Sequence, residues 1–97
     1  MLFPQLTAFR RRRVAMVAHT GVARTVRPAH LPGDGDVLFA MSTSHEAADP
    51  EERAIVSAVG ALGALAVERA ILKAIRSATG LAGVPSAAEW RAAAQSQ

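Results

Sequence analysis

The amino-acid sequence predicts an α+β fold with the order helix, turn, central strand, long helix and short C-terminal helix. Two observations predict it. Two alanine-rich segments carry apolar residues at helical spacing, and between them a cluster of turn residues precedes the apolar run Val37–Met41. With 97 residues and mostly small apolar side chains, the chain is at most one small domain with a thin core.

The first alanine-rich segment predicts a helix from about Gln5 to Val26. Gly21 lies on its apolar stripe, where glycine costs a helix about 1 kcal/mol relative to alanine, so a close approach by another element is expected there. The helix should end before Pro28, which disfavours helical backbone in the residue preceding it. The apolar positions recur at i, i+3 and i+4 and are Val14, Val17, Ala18, Val22 and Val26.

A turn and a strand are predicted next. Pro32, Gly33, Asp34 and Gly35 form a turn signal, because proline presets φ and aspartate hydrogen-bonds nearby backbone. The continuous apolar run Val37–Met41 fits a strand buried on both faces.

The second helix is predicted from Pro50 to Thr79, ending at Gly80. Asp49 is its cap, Pro50 its first residue, and acidic residues occupy its first turn. The uncharged stretch 54–67 is shorter than the roughly 17 residues that a bilayer-spanning helix needs, so a buried helix and no membrane are expected.

Small residues on this helix predict close packing, and the tail predicts one more short helix. Gly60 and Gly63 let a neighbouring helix or sheet come close. In the tail, Ser86 is the expected cap with Glu89 at the third helical position, and Trp90 is expected to anchor the helix.

The basic residues allow two interpretations, a nucleic-acid-binding surface or a solvated helix face. The formal net charge is +3, and much of the excess lies in Arg10–Arg13. Such a cluster suits nucleic acid, but no aromatic platform accompanies it, and a solvated helix face is favoured. The chain has no cysteine and no signal-peptide pattern, which favours a cytoplasmic location.

Three short motifs then carry a family resemblance. They are a helix of the type Ala-His-Thr-Gly-Val-Ala-Arg, an Arg-Pro-x-His turn, and Asp-Gly-Asp leading into a strand. Through these motifs residues 11–86 resemble the C-terminal part of the P1 peptidases, peptidase family S58, which includes D-aminopeptidases and esterases, β-peptidyl aminopeptidases and nylon-oligomer hydrolases. The matching residues are His19, Gly21, Ala23, Arg24, Arg27, Pro28, His30, Asp34, Gly35, Asp36, Phe39, Ala40 and Thr43.

The resemblance implies a four-layer αββα fold of the N-terminal-nucleophile-like type (DmpA/ornithine acetyltransferase-type). In that family the precursor cleaves itself, and the new N-terminal Ser or Thr attacks an amide, with its own α-amino group able to serve as base. That nucleophile lies upstream of the turn, so the resemblance implies that this chain is a C-terminal fragment without it, inactive alone. Residues 1–97 then form a single partial domain, with a variable N-terminus (1–10) and a tail (87–97).

The resemblance also implies helper residues after the strand. Ser42, Ser44 and Glu46 are the candidates for assisting the nucleophile, although loop hydroxyl residues are also common caps and turn formers. No catalytic residue is expected in this chain itself. The remaining motif residues are interpreted as structural; they are His19, Arg24, Arg27, His30, Asp34 and Asp36. Arg24 and Arg27 are expected to pair with Asp34 or Asp36. The histidines and aspartates match no known metal-ligand spacing, so no metal site is expected.

Three hypotheses of function follow. The first is the C-terminal piece of an S58-type hydrolase, acting on a peptide or amide substrate only with its upstream portion. The second is a helical module that dimerises through the Gly60/Gly63 face, and the third a nucleic-acid binder acting through Arg10–Arg13. No cofactor motif is present. Exposed apolar residues of Val37–Met41 are expected to cause self-association, so a homo-oligomer is expected.

Overall fold

The computed structural model describes residues 8–42 and 52–96, and that part of the chain is mostly helical. It contains four helices: α1 (Ala8–Ala18), α2 (Thr20–Thr25), α3 (Glu52–Ser77) and α4 (Ala87–Gln95). The expected helix start at Asp49, Pro50 and Glu51 lies outside the described residues.

The first predicted helix is confirmed, but it is interrupted at His19. The His19 carbonyl accepts from Val22 N at 3.1 Å, three residues ahead, and Thr20 Oγ1 donates to the Val17 carbonyl at 2.8 Å. A hydrogen bond between residues i and i+3 tightens a helix locally, and a side-chain hydroxyl that donates to a helix carbonyl competes with the regular backbone hydrogen bond. The helix ends at Thr25, before Pro28 as predicted, where the Thr25 hydroxyl donates to the Gly21 carbonyl at 2.9 Å.

Helices α1 and α2 run parallel to α3. Val17 packs on Gly60 and Ala18 on Gly63, while Gly21 packs on Ala64, so residue numbers rise together along both partners. A Cβ at Gly60 would lie only 2.9 Å from Val17 Cγ1, and one at Gly63 only 3.0 Å from Ala18 Cβ. The predicted close approach at these glycines is therefore confirmed, and its partner is within the chain.

The core between these helices is small. Its buried hydrophobic residues among those described are Val14, Ala18, Val56 and Ala64, and Ala64 is only 1% exposed. The opposite side of α3 is exposed, with Leu62 at 66%. The prediction of a buried helix is thus correct for one face of α3 only.

The chain between α2 and α3 begins with the predicted turn. Asp34 N donates to the Leu31 carbonyl at 2.8 Å, and Leu31 N donates to Asp34 Oδ2 at 2.7 Å. Because α2 and α3 are parallel, the chain must then travel back along the helices. Residues 34–42, the described part of this connection after the turn, contain no helix, turn or ladder.

The prediction that Val37–Met41 forms a strand buried on both faces is wrong for the described residues. No β-sheet ladder forms there, and Val37, Phe39 and Met41 are 70%, 82% and 94% exposed. A strand needs a neighbour for its N–H and C=O groups, and the described part of the chain supplies none. The β part of the predicted α+β fold is therefore not formed among residues 8–42 and 52–96.

The C-terminal region is a two-residue hairpin followed by α4. Leu81 and Val84 exchange backbone hydrogen bonds of 3.0 and 2.9 Å, and Ala82 and Gly83 both have positive φ, as a mirror-image hairpin turn requires. The predicted capping box of Ser86 is confirmed. The predicted anchoring by Trp90 is wrong, since its side chain is exposed.

Length and composition alone make Arg53–Ser77 a candidate membrane span. The core helix of a soluble protein meets the same criterion, and here α1 and α2 cover one face of this helix. The expectation of no membrane partner therefore stays a prediction.

Candidate functional site

The two motif histidines contact each other, although His19 lies between α1 and α2 and His30 lies in the loop after α2. The rings of His19 and His30 contact edge to face, with centroids 4.7 Å apart and planes inclined by 69°. His30 has φ 60°, a left-handed conformation that residues other than glycine rarely adopt. The helical spacing of the sequence does not predict this contact, because it depends on how the loop after α2 folds back.

One ring nitrogen of His19 is enclosed by the protein. His19 Nε2 is buried and has no hydrogen-bond partner among the described residues. Leaving a buried polar group without a partner costs about 1–3 kcal/mol. An imidazole nitrogen in this state can form a hydrogen bond with a polar group that reaches it, as donor or acceptor according to the tautomer.

The two motif arginines and aspartates are not brought together. Arg24 Nη1 lies 3.8 Å from Glu68 Oε2, an ion pair between α2 and α3. Partly exposed pairs of this kind contribute about 0–1 kcal/mol. Asp34 instead closes its own turn, and within residues 8–42 and 52–96 neither Arg24 nor Arg27 pairs with Asp34 or Asp36.

The predicted helper residues are only partly described. Ser42 is half-buried at the end of the extended segment, whereas Ser44 and Glu46 lie outside the described residues. Among the described residues no three His, Asp or Glu side chains come close enough to hold a metal ion. Ser42 is the last described residue before α3, and the histidine pair lies nearer the start of the connection from α2.

The basic cluster is partly solvated. Arg12 and Arg13 are exposed, as expected for a solvated face, but Arg10 and Arg11 are half-buried. Three arginines converge on one shallow pocket, which is lined by Arg10, Arg13, Arg53, Val56 and Ser57. Among the described residues no aromatic side chain lines it, so they supply no stacking surface of the kind that single-stranded nucleic acid uses.

Glu89 joins the start of α4 to the end of α3. Its carboxylate accepts from Ser86 N at 3.0 Å and from Gly80 N at 3.2 Å. These two hydrogen bonds, the one from Ser86 contributing more, hold the pKa of Glu89 below the usual glutamate value. The capping box was predictable from residue spacing, but the bond to Gly80 was not.

This carboxylate gives α4 a predictable acid sensitivity. Because the folded pKa of Glu89 is lowered, its stabilising effect is present above the ordinary glutamate value of about 4.3 and is lost as pH falls through the folded pKa. We expect the fluorescence of Trp90, the only tryptophan, to report loss of α4 in that acid range. Glu89→Gln should remove this transition and Asp36→Asn should leave it; an unchanged transition in Glu89→Gln would contradict the assignment.

Comparison with known proteins agrees with these motifs. The pattern of Peptidase family S58 matches residues 5–88. Proteins of Mycobacterium tuberculosis (strain ATCC 25618 / H37Rv) and Mycobacterium bovis, each named as an uncharacterized aminopeptidase, are 44% identical over 84 residues, covering 77% of this chain and 24% of theirs. A protein of Mycobacterium leprae with the same kind of name is 39% identical over 83 residues, covering 76% of this chain and 23% of its own.

These relatives establish the family of the chain, but the chain covers only part of their length. The chain spans about a quarter of their length, 24% for the first two. No solved structure matches the chain. Because the family pattern extends over most of the sequence, the chain belongs to peptidase family S58.

Proposed function

We propose that this chain is the C-terminal portion of an S58-type aminopeptidase or amidase. The reaction is hydrolysis of a peptide or amide bond by an N-terminal Ser or Thr nucleophile, which lies in the upstream portion of the hydrolase. Family membership and relatives named as aminopeptidases support this assignment. The upstream portion is then the principal partner, and the peptide or amide substrate binds only to the combined enzyme, in the cytoplasm.

The alternating burial of residues 37–42 carries the proposal. Leu38, Ala40 and Ser42 are half-buried, whereas Val37, Phe39 and Met41 are exposed. A period of two is characteristic of extended backbone that lies with one side against a surface. Its outer side is apolar, and among the described residues no strand pairs with Val37–Met41. This segment is therefore a strand of a sheet that the upstream portion completes.

The helices fit the same architecture. Parallel helices packed side by side form a layer that can cover one face of a sheet. In the proposed four-layer αββα fold, α1, α2 and α3 are an outer layer, and Val37–Met41 belongs to the sheet beneath them. The exposed face of Val37, Phe39 and Met41 then packs on the second sheet.

The motif residues acquire roles in this arrangement. Ser42, Ser44 and Glu46 follow the strand and assist the nucleophile across the interface. The remaining motif residues hold the turn that leads into the strand; they are His19, Arg24, Arg27, His30, Asp34 and Asp36. The alternative of a module that dimerises through Gly60 and Gly63 is not favoured, because Val17 and Ala18 of the same chain cover that face.

The isolated chain is expected to release no p-nitroaniline from amino-acid p-nitroanilides. Adding the upstream portion of a related S58 hydrolase should produce activity. In that mixture Ser42→Ala should lower kcat by about tenfold or more, because it removes a hydrogen-bonding group near the nucleophile. Ser57→Ala is the matched control, since this exposed serine on α3 bonds to the Arg53 carbonyl.

Two outcomes would contradict the proposal. One is turnover by the purified chain alone that disappears in Ser42→Ala or Ser44→Ala, which would place a nucleophile within these residues. The other is a mixture in which the two portions bind each other but Ser42→Ala and Ser57→Ala are equally active, which would remove Ser42 from the site.

A further inference from the structure

Three arginines converge on one pocket at the end of the molecule where α1 and α3 begin. Arg10 and Arg13 are three residues apart on α1 and so share one side of that helix, while Arg53 lies in the first turn of α3. Val56 and Ser57 complete the lining, and the pocket has a volume of about 330 Å³. That volume is within the range of pockets that hold small molecules. We name this pocket the arginine pocket.

The packing of α1 on α3 produces this convergence. The two helices are parallel, and Val17 packs on Gly60. The same separation in sequence, about two helical turns earlier on each helix, places Arg10 beside Arg53. The arginines are therefore brought together by the register of a helix pair.

Three guanidinium groups around one pocket repel one another. Arginine stays protonated throughout the physiological range of pH, so none of the three can relieve the repulsion by losing a proton. Within residues 8–42 and 52–96, neither Arg13 nor Arg53 forms an ion pair. The positive ends of the α1 and α3 dipoles add to the field at this end, because the helices are parallel. The pocket therefore attracts anions.

We propose that the arginine pocket binds the phosphate group of a small molecule. The guanidinium group presents a planar fork of N–H donors that matches two phosphate oxygens, and clusters of arginines are a recurring means of phosphate recognition. Ser57 Oγ donates to the Arg53 carbonyl at 3.1 Å, so the arginines supply the donors. A phosphate dianion is favoured over a carboxylate, because its attraction to the same positive charges is about twice as large.

Arg12 distinguishes this site from a general attraction to polyanions. It belongs to the same basic run on α1 and is exposed, but it does not line the pocket. A surface that binds nucleic acid through its charge would use Arg12 as much as its neighbours. The arginine pocket also contains none of the residues to which hydrolysis is assigned, so this proposal does not depend on the proposed function.

Titration calorimetry with inorganic phosphate tests the proposal on the full chain, with the ionic strength held constant by sodium chloride. We expect a dissociation constant of about 1 mM or lower. Arg13→Gln and Arg53→Gln should each weaken binding by about tenfold or more, because each removes charge-assisted hydrogen bonds to phosphate. Arg12→Gln is the matched control, since it removes the same charge from the same helix, and it should change the constant by less than about threefold.

Acetate tests the chemistry of the ligand, and conservative substitution tests the geometry of the donors. At equal ionic strength, acetate should bind at least about tenfold more weakly than phosphate, because it carries a single charge. Arg53→Lys keeps the charge but loses the fork, so its affinity for phosphate should lie between those of Arg53→Gln and the unchanged chain. Circular dichroism should show the Arg13 and Arg53 variants folded, since both positions are exposed.

Four results would overturn the proposal. One is the absence of phosphate binding, as would follow if carboxylates before Arg53 in the sequence neutralised the pocket; these are Asp49, Glu51 and Glu52. Equal losses in Arg12→Gln and Arg53→Gln would show a non-specific attraction, and equally tight binding of acetate would remove the preference for phosphate. Displacement of phosphate by the upstream portion of a related hydrolase would show that the pocket belongs to the contact between the two portions.

Discussion

Replacing Gly21 with alanine is expected to lower the melting temperature of the chain by about 8–16 °C, equivalent to a loss of about 2 kcal/mol. The new Cβ would overlap the Ala64 carbonyl oxygen and lie 2.9 Å from Val67 Cβ and 3.1 Å from Glu68 N. Two of these atoms are backbone and cannot rotate aside, so α2 and α3 must separate. Overpacking of this kind outweighs the gain of about 1 kcal/mol that alanine brings to a helix.

Glycine at a position with free space supplies the control. A Cβ at Gly33 would meet nothing within 4 Å, so Gly33→Ala should change the unfolding free energy by less than about 0.5 kcal/mol. Thermal and urea unfolding followed by circular dichroism measure both variants. A higher melting temperature for Gly21→Ala would show that α2 does not approach α3 at this residue.

Phe39→Asp is expected to weaken binding of the upstream hydrolase portion by about a hundredfold or more. The proposed strand buries this ring between two sheets, where an aspartate would lie unpaired in an apolar contact. In the isolated chain the ring is 82% exposed, so helix content should not change. Self-association of the isolated chain through this segment should disappear, because the variant removes the centre of the exposed apolar face.

Leu81→Asp is the matched control, because Leu81 is 80% exposed on the C-terminal hairpin. It should leave binding of the upstream portion and the sedimentation behaviour unchanged. If Phe39→Asp also leaves both the binding of the upstream portion and the sedimentation behaviour unchanged, then the segment Val37–Met41 does not form a strand with the upstream portion.

Local structure in this chain could be predicted from short stretches of sequence. The end of the first helix before Pro28, a turn around Gly33 and Asp34, and the Ser86–Glu89 capping box were expected, and each depends on residues within about four positions of one another. Propensity and side-chain hydrogen bonding act over that range. The motifs around Arg24 and His30 also identified the family without any structure, since they depend only on residue order.

Pairings between distant residues could not be predicted in this way. The sequence suggested Asp34 or Asp36 as the partner of Arg24, but the ion pair is with Glu68. That choice depends on the register of α2 on α3, which the close contacts at Gly21 and Gly63 determine. The contact between His19 and His30 likewise depends on how the loop folds back, and Ser44 and Glu46 lie outside the described residues.

The sequence by itself determined the helices, the turn and the family of this protein, because those follow from local spacing and residue identity. The tertiary structure decided that α1 and α2 run parallel to α3 and that the glycine face of α3 is covered within the chain. It also decided that Val37–Met41 has no ladder and an exposed apolar side. The physical reason is that a helix satisfies its own backbone hydrogen bonds, whereas a strand requires a neighbour that the described residues do not contain.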